Sequence, residues 1–110
     1  MILKDLLEYL NAALPVSVYA EAPEELTGYV ILDQTGSSET NHIKTTTIAI
    51  QSYGESLYEA MRLNDDVRNA MEDFAHLDQV TRVELETDYN FTNTATKQYR
   101  WQAVYLITHY

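Results

Sequence analysis

The chain has 110 residues, 45% hydrophobic and 22% charged, with three glycines, two prolines and no cysteine. This is the composition of one globular domain; it excludes a disordered or fibrous chain, a disulfide framework, and cysteine-based metal or thiolate chemistry. Seventeen acidic against seven basic residues give a net charge of −10, which opposes direct binding to nucleic acid or to anionic membrane surfaces, where cations must displace counterions.

Ile2, Leu3, Leu6, Leu7, Leu10 and Leu14 recur at helical spacing, with Lys4, Asp5, Glu8 and Asn11 on the other side, so residues 2–14 read as an amphipathic helix. Pro15 ends it, because proline disfavours a helical conformation in the residue before it. The acids inside this first apolar stretch do not fit a signal peptide, and no apolar run reaches the length of a membrane-spanning helix. Val16 to Ala20 reads as a short strand and Pro23-Glu24-Glu25 as a loop.

Tyr29-Val30-Ile31-Leu32 is continuous and apolar, as in a buried strand. The stretch from Asp33 to Asn41 is rich in Ser, Thr, Asp, Asn and Gly and reads as a hairpin loop. Ile43 to Tyr53 is β-branched and extended, so residues 29–53 form a long β-hairpin with a polar, mobile tip. A helix is expected at about 55–75, with Leu57, Ala60, Met61, Val67, Ala70, Met71 and Phe74 as its apolar stripe. Asn64-Asp65 could cap a second helix there, leaving one helix or two.

Val83 and Leu85 alternate with Arg82, Glu84 and Glu86, a strand with one wet face. Residues 89–97 form a second polar tip. From Gln98 to His109 a long strand puts Tyr99, Trp101, Ala103, Tyr105 and Ile107 on one face; its second half is apolar on both, which places it centrally. The order α-β-β-β-α-β-β predicts an α+β fold in a single domain spanning 1–110: an antiparallel sheet of four to five strands with two main helices packed on one face. Its core should hold Leu6, Leu10, Ile31, Ile48, Leu57, Met61, Phe74, Val83 and Leu85.

Chemistry is hard to find in this pattern. His42, His76 and His109 are scattered, no His-Glu-x-x-His or Gly-rich phosphate loop occurs, and no serine sits in a nucleophile elbow. The carboxylate groups Glu24-Glu25, Asp65-Asp66, Glu72-Asp73 and Glu84/Glu86/Asp88 are all expected on wet faces or loops, where no burial raises a pKa for acid–base work. No catalytic, cofactor or metal residue is assigned, and none is expected. The polar hairpins are the unusual feature, because long Thr-rich hairpins leave edge strands open to another chain. The residues expected to meet a partner are Asp33, Gln34, Thr35, Ser37, Glu39 and Asn41 on the first tip, and Tyr89, Phe91, Asn93 and Lys97 on the second. Both tips should become ordered only against that partner, and residues 34–41 should be removable without unfolding the monomer.

The succession Val18-Tyr19-Ala20-Glu21-Ala22-Pro23, Tyr29-Val30-Ile31-Leu32, then Thr47 to Tyr53 running into an acidic amphipathic helix and a closing strand pair resembles the tail terminator proteins of long-tailed bacteriophages. These are also called tail-completion or tail-to-head joining proteins. The resemblance covers nearly the whole chain as a pattern rather than a fixed motif. It implies an α+β subunit of a virion, assembled in the host cytoplasm, that caps the tail tube as an oligomeric ring, a hexamer, and stops its polymerisation. Its partners would be itself, the tail-tube protein and the head-completion or connector protein, with DNA passing through the ring. Two other classes are weighed against it. A DNA mimic would present its carboxylates in place of phosphates, but these acids follow ordinary helix polar faces. A small enzyme would need a buried acid beside His42 or His76.

Overall fold

In the computed structural model, which describes residues 2–21 and 28–110, seven elements follow in the expected order. They are helix α1 (Ile2–Ala13), strands β1 (Val18–Tyr19), β2 (Tyr29–Thr40) and β3 (Ile43–Gly54), helix α2 (Leu57–Phe74), and strands β4 (Val80–Asn90) and β5 (Tyr99–His109). The strands make one sheet in the order β1-β2-β3-β5-β4. The fold is α+β, and the last strand is internal, as its two apolar faces require. The sheet is not wholly antiparallel: β1 pairs parallel to β2, Val18 opposite Val30 and Tyr19 opposite Ile31. The loop expected around Pro23-Glu24-Glu25 lies outside the described residues.

The core lies between the helices and one sheet face. Strand alternation sends Val30 and Leu32 of β2, Ile48 and Ile50 of β3, and Ala103, Tyr105 and Ile107 of β5 toward Leu6 and Leu10 of α1 and Val67, Met71 and Phe74 of α2. The helices join through Tyr9, whose hydroxyl donates to the Ala70 carbonyl at 2.6 Å and whose ring lies 5.2 Å from that of Phe74. Asn11 ties the end of α1 to the sheet edge: its amide donates to the carbonyls of Leu7 and Val18 and accepts from the Val18 N–H.

α2 is one continuous helix. Ser56 caps it, accepting from the Glu59 N–H, while the Glu59 carboxylate reaches back to the Glu55 N–H. This reciprocal box fixes the start at Leu57. The helix is rolled relative to the expected stripe. Ala60, Leu63, Asn64, Val67, Met71 and Phe74 face the sheet, whereas Leu57 and Met61 are exposed. Leu85 of β4 is exposed too, Val83 is half-buried, and Ile31 is buried on the opposite face of the sheet.

The largest departure concerns residues 33–41, of which 33–40 are strand rather than loop. β2 and β3 pair up to Thr40 opposite Ile43, with a register shift between Gln34 and Gly36, and the turn shrinks to Asn41-His42. Both turn residues have positive φ, 52° and 68°, which suits a two-residue turn whose twist matches the strands. Cutting out 34–41 would remove half of β2, so it is not the neutral deletion expected.

Two substitutions test the packing. Ile48, fully buried between the layers, should not tolerate aspartate, since an isolated buried carboxylate costs several kcal/mol; Ile48→Asp is expected to lose the cooperative thermal transition seen by circular dichroism. Leu63→Ala should cost about 2–4 kcal/mol, and Met61→Ala under about 0.5 kcal/mol, in urea titrations. Equal costs would mean that α2 is not rolled as described.

Candidate assembly surface

The helices pack on one face of the sheet; on the far face Tyr29, Ile31 and Tyr53 are buried in a small cluster of their own, with Tyr19 against it. There Tyr29 stands opposite Tyr53 in the ladder, and their rings stack at 4.6 Å, with Tyr19 edge-on to Tyr29. A hydrogen-bond chain crosses three strands from there. Arg100 Nη1 donates to Tyr53 Oη at 3.2 Å, and Tyr53 Oη donates to Gln51 Oε1 at 3.0 Å. Gln51 Nε2 donates to Gln102 Oε1 at 2.8 Å, and Gln102 Nε2 donates to the Tyr89 hydroxyl. Each step joins residues that the register places opposite one another or next but one along a strand. Burial, then the Tyr53 hydroxyl, push the Tyr29 phenol above its ordinary range, and Arg100 partly opposes them.

The ten residues expected to meet a partner fall into two groups that start near mid-sheet, at Asp33 and Tyr89, and run toward opposite ends of a molecule 44 Å long. Asp33, Gln34, Thr35, Ser37 and Glu39 lie along β2 and Asn41 in its turn. The outer edge of β2 from Leu32 to Thr40 has no strand beside it among the described residues, because β1 stops at Tyr19. One side of this arm continues the core face past α1, where Gln34, Ser37, Glu39, Lys44, Thr46 and His109 line a groove beside Ile2. His109 is buried there and shares a 2.8 Å hydrogen bond with Thr46.

Tyr89, Phe91, Asn93 and Lys97 sit at the other end, on the β4–β5 tip. This tip is built from its own contacts, contrary to the expectation that a partner must order it. Asn90 and Asn93 accept from the N–H groups of Thr92 and Ala95, Asn93 and Gln98 exchange backbone hydrogen bonds, and Phe91 N–H donates to Arg100 O. Such Asx turns supply locally what a longer ladder would. Arg100 completes the tip: its Nε donates to the Phe91 carbonyl at 2.6 Å, and its guanidinium lies 4.4 Å from the Phe91 ring centroid.

Inward of this surface, Asp88 binds the sheet to α2. Its carboxylate accepts from Asn64 Nδ2 and Arg68 Nη1, each at 2.9 Å, and from the Trp101 indole N–H. Asn64 is buried in the middle of α2, a position where a polar side chain needs a partner. Sequence reasoning missed Gln51, Tyr53, Asn64, Asp88 and Gln102. Their signal is the register of non-neighbouring strands, except for Asn64, whose place in an otherwise apolar stripe was a usable clue.

No group of three or more metal-ligating side chains occurs among the described residues, and no described helix is long and apolar enough to cross a membrane. No protein-family model matches the chain, and no curated protein matches it either.

Asp88→Ala strips the partner from Asn64 and Trp101 at once and should cost about 2–4 kcal/mol in urea unfolding. Asp88→Asn keeps the shape and should cost less; equal losses would mean that volume rather than donor satisfaction matters there. Because the folded pKa of Tyr29 is raised, the stability it contributes is complete below the unfolded tyrosine pKa of about 10 and is lost as pH rises through the folded value. Burial also raises the phenols of Tyr9 and Tyr105, so alkaline absorbance titration should show a late tyrosine component that Tyr29→Phe reduces by one residue and leaves otherwise in place.

Proposed function

We propose that this chain is a ring-forming structural protein of a long-tailed phage: a tail terminator that caps the tail tube, ends its polymerisation and offers the surface to which the head joins. The observation that carries the reading is the β2 edge from Leu32 to Thr40, which no strand among the described residues covers. An edge of that length is a template for another chain. The segment order that resembles the tail terminators adds to it.

The shape favours a repeated contact between unlike surfaces. The β2–β3 arm and the β4–β5 tip lie at opposite ends, so one end of a subunit can meet a different part of the next, and such contacts close into a ring when the rotation permits. Tail tube and head connector would then take the two rims. A net charge of −10 suits a channel through which DNA passes without being held.

The test is the mass of the purified chain by light scattering across a concentration series, with electron microscopy of any large species. Annular particles of six subunits that bind tail tubes and block their further growth are expected. A monomer at every concentration, also in the presence of tube ends, would overturn the proposal.

A further inference from the structure

Two surfaces on opposite sides of the subunit complement each other. The first lies on the sheet's far face at its β4–β5 tip. Residues 89–110 contain no carboxylate, and Lys97 and Arg100 stand at their start on the β4–β5 tip. The Arg100 guanidinium is held by a carbonyl and a phenol, and no carboxylate among the described residues pairs with it. Beside it lies a shallow cavity lined by Tyr29, Tyr53, Gly54, Lys97, Gln98 and Tyr99, with Glu55 at the rim. A cation beside stacked phenols, already oriented by its neighbours, is suited to receive a carboxylate with apolar surface around it.

The second surface is the outward side of α2. Between residues 55 and 73 six carboxylates stand against two guanidiniums, and Arg68 is already engaged with Asp88. Asp65 and Glu72 are exposed there on one helical stripe with Tyr58, which is 72% exposed. This stripe lies on the helical layer, with Glu72 bordering Val83 and Leu85 of β4, whereas the cavity opens on the sheet's far face, so one subunit cannot satisfy both.

We infer that the Lys97–Arg100–tyrosine pocket of one copy receives the acidic outward stripe of α2 from a second copy. The inference rests on the ring reading, since it names the surfaces that meet there. Charge complementarity selects the occupant, because pocket against pocket would oppose two cations and stripe against stripe would oppose carboxylates. The contact joins unlike surfaces and leaves both free again at the ends of any open assembly, so it propagates until it closes.

Lys97→Glu and the double variant Asp65→Lys/Glu72→Lys change exposed residues, and both should melt as the parent chain does. Each alone is expected to associate at least about tenfold more weakly than wild type by light scattering, with the loss greater at low salt. Mixed in equal amounts they should reassemble, since each then meets an opposite charge on the other. Wild-type association by both single preparations, or failure of the mixture to reassemble, would overturn this interface while leaving a wild-type ring standing. A wild-type chain that never associates would overturn the ring reading itself, and this contact with it.

Discussion

The helices are too short for the strands they cover. A 12-residue strand runs about 40 Å, while α2 with 18 residues spans about 27 Å and α1 with 12 about 18 Å. Two helices of these lengths can seal only the middle of one sheet face. Everything distinctive about the molecule follows from that shortfall. The core is confined to a block around Ile48, Ile50, Tyr105 and Phe74, and the β2–β3 arm runs on beyond the helices. No described helix packs on the far face of the sheet, where Tyr29, Ile31 and Tyr53 make a small cluster of their own. A chain with more helix would have closed these surfaces and become an ordinary two-layer or three-layer domain.

What the far face carries is a small tyrosine-lined cluster with an ordered polar chain beside it. The Arg100–Tyr53–Gln51–Gln102–Tyr89 chain fixes five side chains across three strands, so their rotamer entropy is already lost before any partner arrives. Preorganised surfaces of this kind bind with less ordering cost than floppy ones. The helical layer is different in kind: its outward side is acidic and solvated. The molecule therefore has two unlike faces.

Local patterns made much of this legible, and the exceptions share one cause. The α1 stripe, the Pro15 stop, the alternation of β5 and its internal position could be read because each depends on near neighbours in sequence. The roll of α2 could not. Leu57 and Met61 are as apolar as Leu63, and what turns Asn64 inward is a carboxylate on Asp88, 24 residues later. The arm was hidden for a similar reason: Ser37, Ser38 and Thr40 have loop-like composition, yet β3 supplies their ladder and β5 holds β3 in place. Within the assembly surface, Tyr89, Phe91 and Lys97 stood out by type and position. Gln51, Tyr53 and Gln102 gain significance only once strand register brings them together.

The small strand β1 has a consequence out of proportion to its two residues. Held by Asn11 and by the hydrogen bond from Val30 N–H to Ser17 O, it occupies the β2 edge at Val30 and Ile31 and nowhere beyond. It is an end stop. A strand arriving on that edge can slide toward the helices only until it reaches β1, and slippage by two residues, ordinarily easy along a uniform Ser/Thr ladder, is blocked on that side. The register of any strand that adds there is thereby set by a built-in ruler rather than by side-chain fit. In the proposed ring, that stop would hold every such contact to one geometry.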